Sequence, residues 1–163
     1  MTHDLKQIYL AELERMVAAD ELSLAVTKDM EEAADHSQLS EGLENAVCGI
    51  SDGLDIVREL LEKHGGDTDG SDAPGMKALA QEARAAALNS EFADPAAQDA
   101  AILLHFQRFT HYGLTSYDIL ARMARALGLD EDAEKLGECH ANAQDGDDDM
   151  GEVADSLLAS LPG

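Results

Sequence analysis

The stretch "FQRFTHYGLTSYDIL", residues 106–120, reads as the middle of a long helix, yet Thr110 and Gly113 stand where its packing stripe should be. Glycine costs a helix interior roughly 1 kcal/mol relative to alanine. Working outward, Asp94 is placed to cap this helix and Pro95 suits its first turn,. Gly128 is a natural stop beyond Leu127,. The spacing therefore predicts a helix over about 95–127 with a break in its stripe at mid-length.

The rest of the chain is helical by pattern. Leu5, Tyr9, Leu13, Met16, Asp20, Leu24 and Thr27 recur at helical spacing over about 2–34, with Asp20 interrupting the stripe,. A second helix is expected over about 38–64, capped by Ser37 and carrying Leu39, Leu43, Val47, Ile50, Leu54, Val57 and Leu61,. "GGDTDGSDAPG" (65–75) is a loop by composition, and "MKALAQEARAAALN" is a short helix after it,. A last helix is expected over about 131–161, weak in "NAQDGDDDMGEV" because of its glycines and acids,. Two long helices, a long crossover with a small helix, then two more long helices form an all-α, up-down four-helix bundle. That connectivity belongs to ferritin-like folds. The whole chain, 1–163, reads as one domain.

Composition narrows the function. Apolar residues make up 45% of the 163 residues, aromatics only 4%, and there is no Trp, so the core must rest on Leu, Ala, Ile, Val and Met. Asp and Glu number 34 against 11 Lys and Arg, a formal net charge of -23. Such a charge repels phosphate backbones and anionic lipid, which argues against nucleic-acid and membrane partners. It is also the surface expected of a halophilic protein in high salt, the alternative being an ordinary acidic bacterial protein. Cys48 and Cys139 stand far apart without a CxxC, which fits reduced thiols in a cytoplasm,. "MTHDLKQIYLAELERM" lacks the apolar core of a signal peptide, so a cytoplasmic location is expected,. No Walker loop, GxGxxG or Ser-His-Asp arrangement favours another enzyme class.

A level argument locates a candidate site. In an antiparallel hairpin, residues equidistant from the turn lie side by side, since each advances the helix by ~1.5 Å. With turns centred near His36 and Leu129, one mid-bundle layer collects Asp20, Cys48, Ser51, Asp52, Thr110, His111, Gly113 and Asp147. Di-iron bundles place there a Glu from each of two helices and a Glu-x-x-His from each of the others. This chain has Cys48 and Ser51 at that spacing on its second helix and Thr110 and Gly113 on its third. Hard iron prefers carboxylate and imidazole, which Thr and Gly cannot supply.

"DPAAQDAAILLHFQRFTHYGLTSYDILARMARALGLDEDAEKL", with "LKQIYLAELERMVAADEL" and "APGMKALAQEA" before it, resembles the YciF-like family of ferritin-like, stress-associated bacterial proteins. The resemblance spans about 5–150. It implies a ferritin-like bundle, often dimeric, with a di-metal centre. Carried onto this chain, the family's Glu-His-Tyr-Glu motif reads Thr110, His111, Tyr112 and Gly113. Its first-helix Glu falls on Asp20, its Glu-Glu-x-His on Cys48, Gly49 and Ser51, and its last acid run on Ala141, Asn142 and Ala143.

The resemblance thus implies a degenerate, non-catalytic member without a functional di-iron centre and without a cofactor. The alternative is a repurposed mid-bundle pocket. It would hold a single divalent metal through Asp20, His111 and Asp147, or a small ligand beside Cys48, Ser51, Asp52, Thr110 and Gly113. More ordinary roles compete for the same residues. His111 can be a core-edge histidine bonded to a neighbour. Cys48 can be a small buried apolar residue, and Asp20 is expected to pair with Arg108, His111 or water. The acids of 145–149 read as a solvated face, without the alternation of a calcium loop.

Overall fold

The computed structural model describes residues 3–161, and among them there is no strand. Helix α1 (Leu5–Ala33) begins on Asp4, whose carboxylate accepts the N–H of Gln7 while the Gln7 side chain accepts the N–H of Asp4. This reciprocal capping box satisfies two donors that a bare helix end leaves open. Helix α2 (Ser37–His64) ends on Gly65, left-handed with φ of 70°.

The crossover carries α3 (Pro74–Ala83), continued by a π-helical turn, Arg84–Leu88. Helix α4 (Pro95–Ala126) starts as the sequence predicts, with the Asp94 carboxylate accepting the N–H of Ala97 and Pro95 in the first turn. Gly128, with φ of 72°, reverses the chain into α5 (Asp130–Ala159). The acid- and glycine-rich part of α5 is helical throughout, so packing overrides its poor propensity,.

The two hairpins, α1–α2 and α4–α5, close on each other through α2 against α5 and α1 against α4. The short α3 lies over α1 and α4. Tyr9, Leu13, Met30, Leu43, Leu60, Phe109, Leu120 and Leu136 are fully buried or nearly so. This is the all-α ferritin-like architecture expected. One cap differs from expectation. Ser37 does not cap α2; its N-cap residue is His36, whose side chain makes no capping bond. Asp99 of α4 serves instead, its two carboxylate oxygens accepting the N–H groups of Asp35 and His36 at 2.9 Å each. An acid at a helix N-terminus is favoured by the helix dipole as well as by the hydrogen bonds.

The two ends of the bundle are pinned by buried acids. Asp99, 2% exposed, holds one end. Asp132, fully buried, holds the other: it accepts from the Tyr9 hydroxyl at 2.8 Å and from Lys63 at 3.0 Å, and meets Nε2 of His64 at 2.5 Å. Burial pushes the Asp132 carboxyl upward, but the bonds from His64, Lys63 and Tyr9 outweigh it and hold the group below its ordinary value,.

Candidate functional site

Between the pinned ends the bundle opens into a cavity of about 420 Å³. Small residues on the inner face of α2 make room for it: Gly42, Ala46, Gly49 and Gly53 all line it. From α4 come Phe106, Phe109, Thr110, Gly113 and Tyr117, and Met76 of α3 closes one side. A Cβ placed on Gly113 or on Gly49 would meet nothing within 4 Å. Gly113 therefore faces open space, and its cost to helix stability is not repaid by a close contact.

Asp20 is the buried acid of this layer, 7% exposed. The hydroxyl of Tyr117 donates to its Oδ2 at 2.6 Å. Burial pushes the Asp20 carboxyl up to about 7, against the opposing effect of that hydrogen bond. Burial, reinforced by the neighbouring acid, raises the Tyr117 phenol well above its ordinary value. Cys139, across the layer on α5, is pushed up to about 12, first by burial and then by the field of Asp20. A thiol so raised is a poor nucleophile and a poor metal ligand. Cys48 and Cys139 are both free.

Gly53 explains how Tyr117 reaches Asp20, since a Cβ on Gly53 would stand 2.7 Å from the tyrosine oxygen. The pairing with Tyr117 replaces the expected one with Arg108 or His111. Arg108 turns to Glu82, at 3.6 Å. Helical side chains lean toward the N-terminus and cover the turn before their own. Tyr117 therefore covers the level of Gly113.

The expected layer is assembled only in part. Asp20, Asp52, Thr110, Gly113 and Asp147 line the cavity. Cys48 and Ser51 do not: Cys48 is exposed and Ser51 part-buried. On a 3.6-residue turn Cys48 lies about 100°, and Ser51 about 160°, round the helix from Gly49, so the α2 face reaching the layer is that of Gly49 and Asp52. His111 also stands outside, its side chain 62% exposed, and its Nε2 meets Oδ2 of Asp147 at 2.9 Å.

The trio of Asp20, His111 and Asp147 is therefore not brought together. Among the described residues, no three His, Cys, Asp or Glu side chains gather closely enough to hold a metal ion. The residues present do not fit the paired-metal centre that the fold class implies, because the layer offers a hydroxyl, a glycine and a tyrosine-bound acid where such a centre needs ionised carboxylates and imidazoles. Tyr117, Cys139 and the Phe106–Phe109 pair are cavity residues that spacing alone did not single out.

Fold and site together define the class: a ferritin-like four-helix bundle with an open mid-bundle layer. Residues 4–160 match the family described as a domain of unknown function (DUF892). The chain belongs to that family, the YciF-like proteins. The crystal structure of the E. coli stress protein YciF superposes with a TM-score of 0.90 at 17% identity, over 98% of this chain and 100% of that one. YcfI from Rhodopseudomonas palustris superposes at 0.85 with 23% identity, over 91% and 94%. A comparison with curated proteins finds no match. Among the described residues, no helix is long and apolar enough to cross a membrane.

Proposed function

We propose that this chain is a non-catalytic, stress-associated member of its family that has given up the di-iron centre, kept the bundle, and turned the vacated layer into a cavity for a small ligand. The observation that carries the reading is the environment of Gly113. It lines a 420 Å³ cavity, and nothing stands within 4 Å of where its side chain would begin. Thr110 beside it has no carboxylate, and Asp20 is engaged by Tyr117. The single-metal reading has less support, since His111 lies outside the cavity and pairs with Asp147 alone among the acids.

Elemental analysis of freshly purified protein, with oxygen uptake on addition of ferrous iron, tests this proposal. Substoichiometric transition metal and uptake no faster than in buffer are expected. Two irons per chain would overturn the reading. The surface charge of -23 and the exposed Leu104, Ile119 and Leu158 support two further parts of the proposal, a cytoplasm of high salt and a homodimer. Light scattering that gives only monomer in molar salt counts against the dimer.

A further inference from the structure

Resting on the reading of the layer as a ligand cavity, we propose that it binds an organic cation: a protonated amine carried on an alkyl or aryl body. The walls that would hold the body are apolar, chiefly Met76, Ile56, Met150, Phe106 and Phe109. The two phenylalanines meet edge to face with ring centroids 5.4 Å apart. Aromatic faces attract a cation as well as hydrocarbon.

The charged groups lining the cavity all have one sign. Asp20, Asp52, Asp145, Asp147 and Asp149 line it, and no Lys, Arg or His does. That choice excludes fatty acids, nucleotides and other anions and favours a cation.

One acid is also left with capacity to spare. Asp147 has a side chain only 11% exposed. Its Oδ2 meets His111, while its Oδ1 is buried without any hydrogen-bond partner among the described residues. Asp20, by contrast, already receives the Tyr117 hydroxyl on Oδ2. A buried carboxylate oxygen left unpaired is costly, and an ammonium group has three donors to offer it. The volume lies within the ~300–1,000 Å³ range of small-molecule sites, enough for a body of modest size. A bare divalent ion would leave the apolar walls uncovered, and among the described residues no three acids gather closely enough to hold it.

The test is calorimetric titration of the full chain, in buffer with enough potassium chloride to screen its surface, with three compounds of one chain length: octylammonium, octanol and octanoate. Octylammonium should bind at least 10-fold more tightly than octanol, and octanoate should not bind. Asp147→Asn should weaken the amine roughly 10-fold, the scale of one charge-assisted hydrogen bond. Gly113→Phe, which fills the cavity, should abolish saturable binding, with circular dichroism checking that the variant folds. If Gly113→Phe does not fold, displacement of wild-type amide resonances of Phe109, Gly113 and Asp147 by octylammonium takes its place as the positional readout. Equal binding of octanol, no binding of the amine, or amine binding that survives the filled cavity would each overturn the proposal while leaving the loss of iron intact. Stoichiometric binding of two irons that excludes the amine would overturn the reading beneath it.

Discussion

Replacing Asp20 by asparagine should stabilise the protein, by an amount that grows as pH rises from about 4 to about 7,. Asp20 is buried, and its carboxyl is pushed up to about 7 from an ordinary 3.8. Between those values the folded chain keeps a proton that the unfolded chain releases, so stability falls as pH rises and the loss is complete above about pH 7. The gap corresponds to about 4 kcal/mol at full extent. Asparagine has almost the same shape, keeps an oxygen to accept from Tyr117, and cannot ionise. The difference between variant and wild type should thus be near zero at about pH 4 and grow toward about 4 kcal/mol by pH 8, or roughly 10 °C in melting temperature for a chain of this size. Urea denaturation at fixed ionic strength measures it. Acids shifted the other way, such as Asp132, add stability that is lost on acidification, but they cancel when variant and wild type are compared at each pH,. A difference that does not change with pH, or an asparagine variant less stable than wild type at pH 8, would refute the claim that burial keeps Asp20 protonated.

Three further expectations can be checked by denaturation. Asp99→Ala leaves the N–H groups of Asp35 and His36 without acceptors and should cost about 2 kcal/mol,; a change under half that size would mean that water replaces the carboxylate. Gly113→Ala adds a methyl to open space in a helix and should gain about 1 kcal/mol,; a loss would mean that the space is needed by a neighbour. With a net charge of -23, the melting temperature should rise from dilute buffer to molar potassium chloride,, and a flat profile would remove the argument for a high-salt host.

The bundle was legible because its evidence lies in periodicity, caps and loop composition. Asp94, Pro95 and Gly128 bound α4 and its turn into α5 as their chemistry requires. The site was legible only along the helix axis. Counting from the turns placed Asp20, Thr110, Gly113 and Asp147 in one layer, and all four line the cavity. Counting says nothing about rotation, and here Cys48, Ser51 and His111 were misplaced by about 100° or more. The rotation of α2 is set by Leu39, Leu43, Leu54, Val57 and Leu61, which are buried and turn the row of Gly42, Gly49 and Gly53 inward. Tyr117 could have been found from the sequence by another route. A tyrosine on a buried stripe needs a partner for its hydroxyl, and an aspartate on a buried stripe needs a donor. Tyr117 and Asp20 answer each other.

On the proposed loss of a metal centre, that pairing also accounts for how the bundle keeps its middle. A carboxylate alone in the layer is costly, because a buried charge without a partner is far worse than an apolar residue in its place. Two adjustments relieve that cost here. Burial keeps Asp20 largely protonated below about pH 7, and Tyr117 reaches across to its oxygen through the gap that Gly53 leaves. Neither adjustment fills the space, so the middle is satisfied in hydrogen bonds at Asp20 but open in volume. The ends, clamped by Asp99 and Asp132, can hold the helices apart there without help from the layer itself. An open layer with one unpaired buried oxygen on Asp147 is therefore a stable feature of the fold and one that a cationic ligand can complete.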